Sequence, residues 1–194
     1  MNSKIIHSCL LSLAILALLL ALPTKTWSQE TSFGKSIVFV FSPLKGEILE
    51  TIVNRIVSTT GAETFRIEPT VPYPTDEDAM IAAEEARIKS GQPPELKNPP
   101  PDLSGYDTIF IGTSSWFGDR PDIVALFMSQ MDCKGAKVAF FATTGPKPKN
   151  IIKSLSSLVR NGQALKPGLI SKKNEDRSTE AILKKTDTWL SKLK

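Results

Sequence analysis

Apolar residues fall along this chain in two alternating rhythms. Residues 36–41 run Ser36, Ile37, Val38, Phe39, Val40, Phe41, an almost unbroken apolar stretch of strand length. A strand covered on both faces reads this way, because neither side meets water. After a polar turn at 42–47, Ile48, Leu49, Ile52, Val53, Ile56 and Val57 recur at helical spacing, and Gly61 suits the stop. Residues 64–67 predict a shorter strand. Strand, loop, helix and strand thus fit within about 30 residues, the size of a βαβ unit.

The same alternation returns later. Residues 107–111 predict a third strand, followed by a loop at 112–118. Pro121 suits the first turn of a helix whose buried face is Ile123, Val124, Leu126, Phe127 and Met131. Residues 137–142 predict a fourth strand, and the loop 143–148 leads to a helix carrying Ile151, Ile152, Leu155, Leu158 and Val159. A weaker strand near 164–170 and a helix over 179–193 complete the pattern. Strands alternating with helices predict an α/β domain over 35–194, its parallel sheet covered on both faces.

Two stretches depart from this rhythm. Residues 69–101 hold eight of the fourteen prolines: Pro69, Pro72, Pro74, Pro93, Pro94, Pro99, Pro100 and Pro101. Residues 76–89, between them, are rich in Ala and Glu and predict a short helix. The segment reads as a surface excursion, not a domain boundary, because neither flank alone makes a complete α/β core. The second stretch is N-terminal. Lys4 precedes fourteen largely apolar residues from Cys9 to Leu22, Pro23 ends the run, and Thr26 and Ser28 are small residues before Gln29. This is the layout of a secretory signal peptide over 1–28, cleaved near Ser28. The run is shorter than the ~20 residues a spanning helix needs, although an uncleaved N-terminal anchor is the alternative. The expectation is an exported protein, periplasmic or secreted, with no membrane span after cleavage.

Composition narrows the chemistry. The net charge of +4 falls to +2 on cleavage, since Lys4 and Lys25 leave with no acid. Nothing reads as the clustered Lys and Arg of a nucleic-acid surface. The single histidine, His7, lies in the leader, so the rest of the chain has no imidazole for Ser-His-Asp or Cys-His catalysis or for His-ligated zinc. Beyond the leader only Cys133 remains, which excludes an intramolecular disulfide, a dithiol pair and a Cys-rich metal site. Cys133 itself reads as a small core residue. Any chemistry would come from a cofactor, a carboxylate or a hydroxyl.

Ligands of open parallel sheets bind at the carboxyl ends of the strands, which directs attention to three loops. The first opens a helix, whose free N–H groups and dipole attract phosphate. There Ser42 could donate a hydroxyl, Gly46 permit close approach and Lys45 add charge. Pro43 lacks an N–H, however, and Glu47 puts a negative charge where phosphate would sit, so an ordinary connection reads equally well. The second loop holds Ser114, Ser115, Trp116, Phe117 and Gly118. A tryptophan between small residues can stack on a flat ring while the backbone meets the ring's edge, or it can serve as core bulk. The third loop, Thr143, Thr144 and Gly145, offers hydroxyls and an approachable backbone.

Several segments resemble the flavodoxin-like family, in particular a bacterial branch with the same middle section. Residues 60–69, with Pro72, Tyr73 and Pro74, are similar to its second strand and turn; residues 94–98 and 102–112 to its approach to the third strand; residues 134–138 to its fourth. Ser115, Trp116, Phe117 and Gly118 correspond to its Pro-Ile-Trp-Trp-Gly-like flavin loop. The resemblance implies a three-layer fold with a five-stranded parallel sheet of order 2-1-3-4-5, and noncovalent FMN. By position, Ser42, Leu44, Lys45, Gly46, Glu47 and Ile48 would hold its phosphate. Ser114, Ser115, Trp116, Phe117 and Gly118 would hold the ring, and Thr143, Thr144 and Gly145 its other edge. It further implies electron transfer, or a quinone- or NAD(P)H-type oxidoreductase, with a redox partner the sequence does not name. Two loops depart from the family. Its phosphate loop reads close to Ser-x-Thr-Gly-Asn-Thr, whereas this chain lacks the Thr and Asn donors. Its Thr-His-Gly-Gly-Ser-like third loop has become Thr143, Thr144, Gly145, Pro146 and Lys147. The alternative is therefore a binding module that kept the fold and lost FMN. A hydrolase using Ser42 or Ser115 is disfavoured, because no histidine base remains.

Overall fold

The structure is a computed structural model that describes residues 32–43, 47–145 and 150–193. The expected leader, and Leu44, Lys45 and Gly46 of the first loop, lie outside the described residues. The long apolar runs form the central strands. β1 (Ser36–Phe41), β3 (Thr108–Ser114) and β4 (Lys137–Thr144) are buried nearly throughout, as strands covered on both faces must be. β2 (Glu63–Arg66) is short and largely exposed, which suits an edge. All pairings are parallel, in the order β2-β1-β3-β4.

The last sheet position is filled in two pieces. β5 (Gln163–Ala164) pairs with the start of β4, and β6 (Leu169–Lys172) pairs with its end. The single strand expected near 164–170 is interrupted where Pro167 supplies no N–H to the ladder. The expected 2-1-3-4-5 order of a flavodoxin-like fold is observed, with this divided fifth position.

Period-two alternation sorts the strands' side chains between two cores. Ile37, Phe39 and Phe41 of β1, Ile109 and Ile111 of β3, and Val138 and Phe140 of β4 face one side. Val38, Val40, Phe110, Ala139 and Phe141 face the other. α1 (Glu47–Thr60) brings Leu49, Ile52, Val53 and Ile56 to the second side, joined by Ile182, Trp189 and Leu190 of α5 (Thr179–Ser191). α3 (Asp122–Gln130) and α4 (Ile151–Ser156) cover the first side with Val124, Phe127, Ile151 and Leu155. The result is three layers.

The proline-rich stretch is docked on this frame. Its ends close on each other: Thr70 N donates to Glu95 O at 2.9 Å and Lys97 N to Glu68 O at 2.9 Å. Asp76 caps α2 (Glu77–Lys89) by accepting from Ala79 N at 2.9 Å. Met80 and Glu84, one helical turn apart, are the buried residues of this helix. The excursion lies on the surface of the domain, yet Met80 and Tyr73 belong to the first core.

Candidate functional site

Both central strands run past their expected ends, carrying the second and third loops up to the sheet's carboxyl edge. Thr113 and Ser114 extend β3, and Thr143 and Thr144 extend β4. Ser115 N donates to Thr143 O at 2.8 Å, so the two loops leave the sheet side by side. The chain then reverses within four residues: Trp116 N donates to Asp119 O at 2.8 Å and Asp119 N to Trp116 O at 2.9 Å. Phe117 and Gly118, the two central residues, both have positive φ, 49° and 80°. That is a type I′ turn. Gly118 adopts this conformation freely, but Phe117 is a bulky residue in a region it rarely visits.

The turn separates its two aromatic side chains. Trp116 points inward and is 8% exposed. It packs against Phe41 at a ring-centroid distance of 5.3 Å and edge-on against Tyr73 at 4.8 Å. Phe117 points outward and is 51% exposed. Trp116 thus packs mostly into the core while still bordering the cleft, and its neighbour presents the more accessible aromatic face. The Phe117 and Gly118 amides, at the tip of the turn, donate to no described group.

Beside this turn lies a cleft of about 710 Å³, within the range of small-molecule sites. One wall is Ser114, Ser115, Trp116, Phe117 and Gly118; the floor is Thr143, Thr144 and Gly145. These sequence-predicted residues of two loops come together. A second wall comes from α2, through Glu77, Met80, Ile81 and Glu84, and a third from Lys173 and Arg177 after β6. Sequence reasoning missed both. Residues 76–89 carry no clear apolar stripe, and the buried Glu84 reads as a solvent residue. Lys173 and Arg177 sit in a stretch of mixed charge without a motif.

The first loop is different. Ser42 and Pro43 open onto another hollow of about 330 Å³, shared with Arg66, Pro72, Tyr73 and Lys97. Ile48 packs on the second core, and Glu47 begins α1. A hollow of about 880 Å³ around Lys35, Tyr106, Asp107 and Lys137 lies at the amino ends of the strands, the edge that parallel sheets do not use for ligands.

The α2 wall is held by a buried charge network. Glu84 is 2% exposed and accepts from Arg87 Nε at 2.8 Å and Nη2 at 2.7 Å, and from the Tyr73 hydroxyl at 3.1 Å. Arg87 Nη2 also reaches Asp122 Oδ2 of α3 at 2.7 Å. Burial, and then the Glu84 carboxylate, push the Tyr73 hydroxyl well above the ordinary phenol range. Tyr73 therefore stays a neutral donor, and because its ring rests on Trp116 the network braces the turn from behind. Arg120 braces the turn on the other side by donating to the Ser154 hydroxyl of α4.

Burial likewise pushes the Cys133 thiol upward, which keeps it protonated and unreactive. Among the described residues no group of His, Cys, Asp and Glu could hold a metal ion. No described helix is long and apolar enough to cross a membrane.

The flavodoxin family model matches residues 35–186. The chain belongs to the flavodoxin family. Its fold is shared with a Lactobacillus acidophilus flavoprotein solved in complex with FMN, at 17% identity and a TM-score of 0.57, over 80% of this chain and 98% of that one. A candidate flavoprotein from Bacteroides uniformis aligns at 24% identity and a TM-score of 0.59, over 82% and 99%. Flavodoxin 1 of Bacillus cereus, in its oxidised form, aligns at 20% identity and a TM-score of 0.50, over 82% and 100%. No curated protein matches the sequence.

Proposed function

We propose that this member of the flavodoxin family binds FMN noncovalently and serves electron transfer, or a quinone- or NAD(P)H-type reduction, outside the cytoplasm. The observation that carries the reading is the Phe117–Gly118 turn. It holds an exposed aromatic face and two amides that donate to no described group beside a cleft at the carboxyl ends of β3 and β4. The residues fit a flat, polar-edged ring: Phe117 would cover its face, the turn amides would meet its edge, and Thr143 with the open backbone at Gly145 would line the far side. Among the described residues, a Cβ at Gly145 would meet nothing within 4 Å. FMN, when bound, supplies the electron-carrying chemistry. The protein's own part is to orient the ring, limit water and set the surrounding charge.

The test is a titration of the purified protein with FMN, followed by quenching of flavin fluorescence. Saturable binding below about 10 μM, near −7 kcal/mol, is the expected result. No binding at several hundred micromolar sinks the proposal. It would favour the second reading, a binding module without flavin, for which Pro43 and the missing Thr and Asn of the first loop speak. Export is a separate proposal, resting on residues 1–28. N-terminal sequencing of the protein recovered from outside the cytoplasm should begin at Gln29; retention with an intact N-terminus would reject it.

A further inference from the structure

The walls of the cleft carry unequal charge. On the α2 side, Glu84 is neutralised by Arg87, which also holds Asp122. Glu77, in the first turn of α2, lines the same wall. On the side after β6, the cleft is lined by Lys173 and Arg177. Neither forms an ion pair among the described residues. The acids nearest to them in sequence are occupied. Glu175 pairs with Lys185, and Asp176 accepts from the Ser178 amide at 2.9 Å. This wall continues directly from the floor. Ser171 and Lys172 of β6 stand opposite Thr143 and Thr144, and the Lys173 amide donates to Thr144 O at 2.9 Å. Lys173 is exposed and Arg177 half-buried, so water screens the ammonium more than the guanidinium.

Oxidised and reduced flavin differ in the charge of the ring. A hydride donor passes two electrons and one proton together. The donor's C–H bond breaks, an N–H bond forms on the ring, and the donor leaves one unit more positive. The ring, neutral before, then carries one negative charge. A cation held beside the ring favours that reduced form, and an anion disfavours it. The flavin's phosphate is common to both forms, so its contacts cancel in the comparison. Edge lysines can instead serve to discourage strand pairing. Lys172 is placed for that within β6, whereas Lys173 and Arg177 lie beyond the strand, on the cleft.

We propose that Lys173 and Arg177 set the charge of the ring site. They hold the reduced, anionic flavin more tightly than the oxidised, neutral one, which suits the site to accept hydride. This deepens the flavin reading and rests on it. Glu77 acts in the opposite sense from the facing wall.

The experiment loads the purified protein with FMN and measures the two-electron midpoint potential of the bound flavin by reductive titration against a reference dye. It compares wild type, Lys173→Gln with Arg177→Gln, the charge-conserving pair Lys173→Arg with Arg177→Lys, and Glu77→Gln. Affinity for oxidised FMN is measured in parallel. The Gln double variant should favour the reduced form about tenfold less than wild type, a fall of about 30 mV for a two-electron couple. The charge-conserving pair should stay near the wild-type potential, and Glu77→Gln should move it upward. The difference between wild type and the Gln double variant should shrink as salt is raised, as a charge acting through space requires. Equal potentials in wild type and the Gln double variant overturn the inference and leave the flavin reading intact, since FMN still binds. An equal fall in the charge-conserving pair overturns it too. So does loss of oxidised-FMN binding in the Gln double variant, because the side chains would then act by contact and not by charge. If wild type binds no FMN, the flavin reading and the inference fall together. Unchanged thermal unfolding checks that each variant folds.

Discussion

Phe117 occupies a position that its turn would give more readily to asparagine or glycine, the residues type I′ turns favour. A bulky residue at φ 49° implies that something other than local stability keeps it there. Phe117→Asn should raise stability by about 0.5–1 kcal/mol in urea unfolding while weakening FMN binding at least several-fold. Unchanged flavin affinity would remove Phe117 from the ring site. Trp116 is a poorer probe, since truncating a core tryptophan costs about 3–5 kcal/mol of stability by itself. Gly112 shows the opposite kind of constraint. It lies across from Phe141 in the sheet, and a Cβ there would stand 2.1 Å from that ring. Gly112→Ala should therefore cost about 1–3 kcal/mol through overpacking, read as a lowered denaturation midpoint. Neither residue announces its role in the sequence, where Trp116 is the more conspicuous aromatic and Gly112 reads as the start of a loop.

Helix α2 shows how an element can be legible while its purpose is not. Its helical character follows from its Ala- and Glu-rich composition, and its start from Asp76. Its docking depends on a buried glutamate that pairs three residues along, with Arg87, and reaches Tyr73 from outside the helix. The burial of Glu84 beneath Tyr73 is a tertiary outcome, so the segment reads as surface from sequence alone. Glu84→Ala leaves the Arg87 guanidinium and the Tyr73 hydroxyl without their shared acceptor. It should cost about 3–5 kcal/mol, measured by chemical unfolding, and loosen the cleft wall. Asp122→Asn, at a side chain 59% exposed, should cost under about 1 kcal/mol. Equal effects would mean that Glu84 is not the anchor.

Over the whole molecule, charge and burial set a plateau of stability against pH. The described residues include no histidine. Arg66 holds Glu50 below the ordinary carboxylate range, Lys185 does so for Glu175, and the Lys134 amide does so for Asp132. These depressed carboxylates contribute stability that is present above their unfolded value of about 4 and lost as pH falls through their lower folded values. Cys133 and Tyr73 are raised. Their neutral forms stabilise the fold below the unfolded thiol and phenol values, about 8.5 and 10, and that contribution is lost as pH rises beyond them. Unfolding midpoints in urea should be level from about pH 5.5 to 8 and fall on both sides. A marked step near pH 6.5 would contradict this.

The sequence by itself determined the α/β layering. Continuous apolar runs can be satisfied only by strands covered on both faces, and helical apolar stripes between them supply the covers. It also placed two loops, 114–118 and 143–145, at the edge where such sheets bind ligands. Tertiary structure alone decided which aromatic of the Trp116–Phe117 pair faces outward, because φ in a four-residue reversal is imposed by the strands and packing around it. It alone brought α2 and the Lys173–Arg177 wall to the same cleft, because those residues are far apart along the chain and meet only when the sheet and its docked excursion close around them.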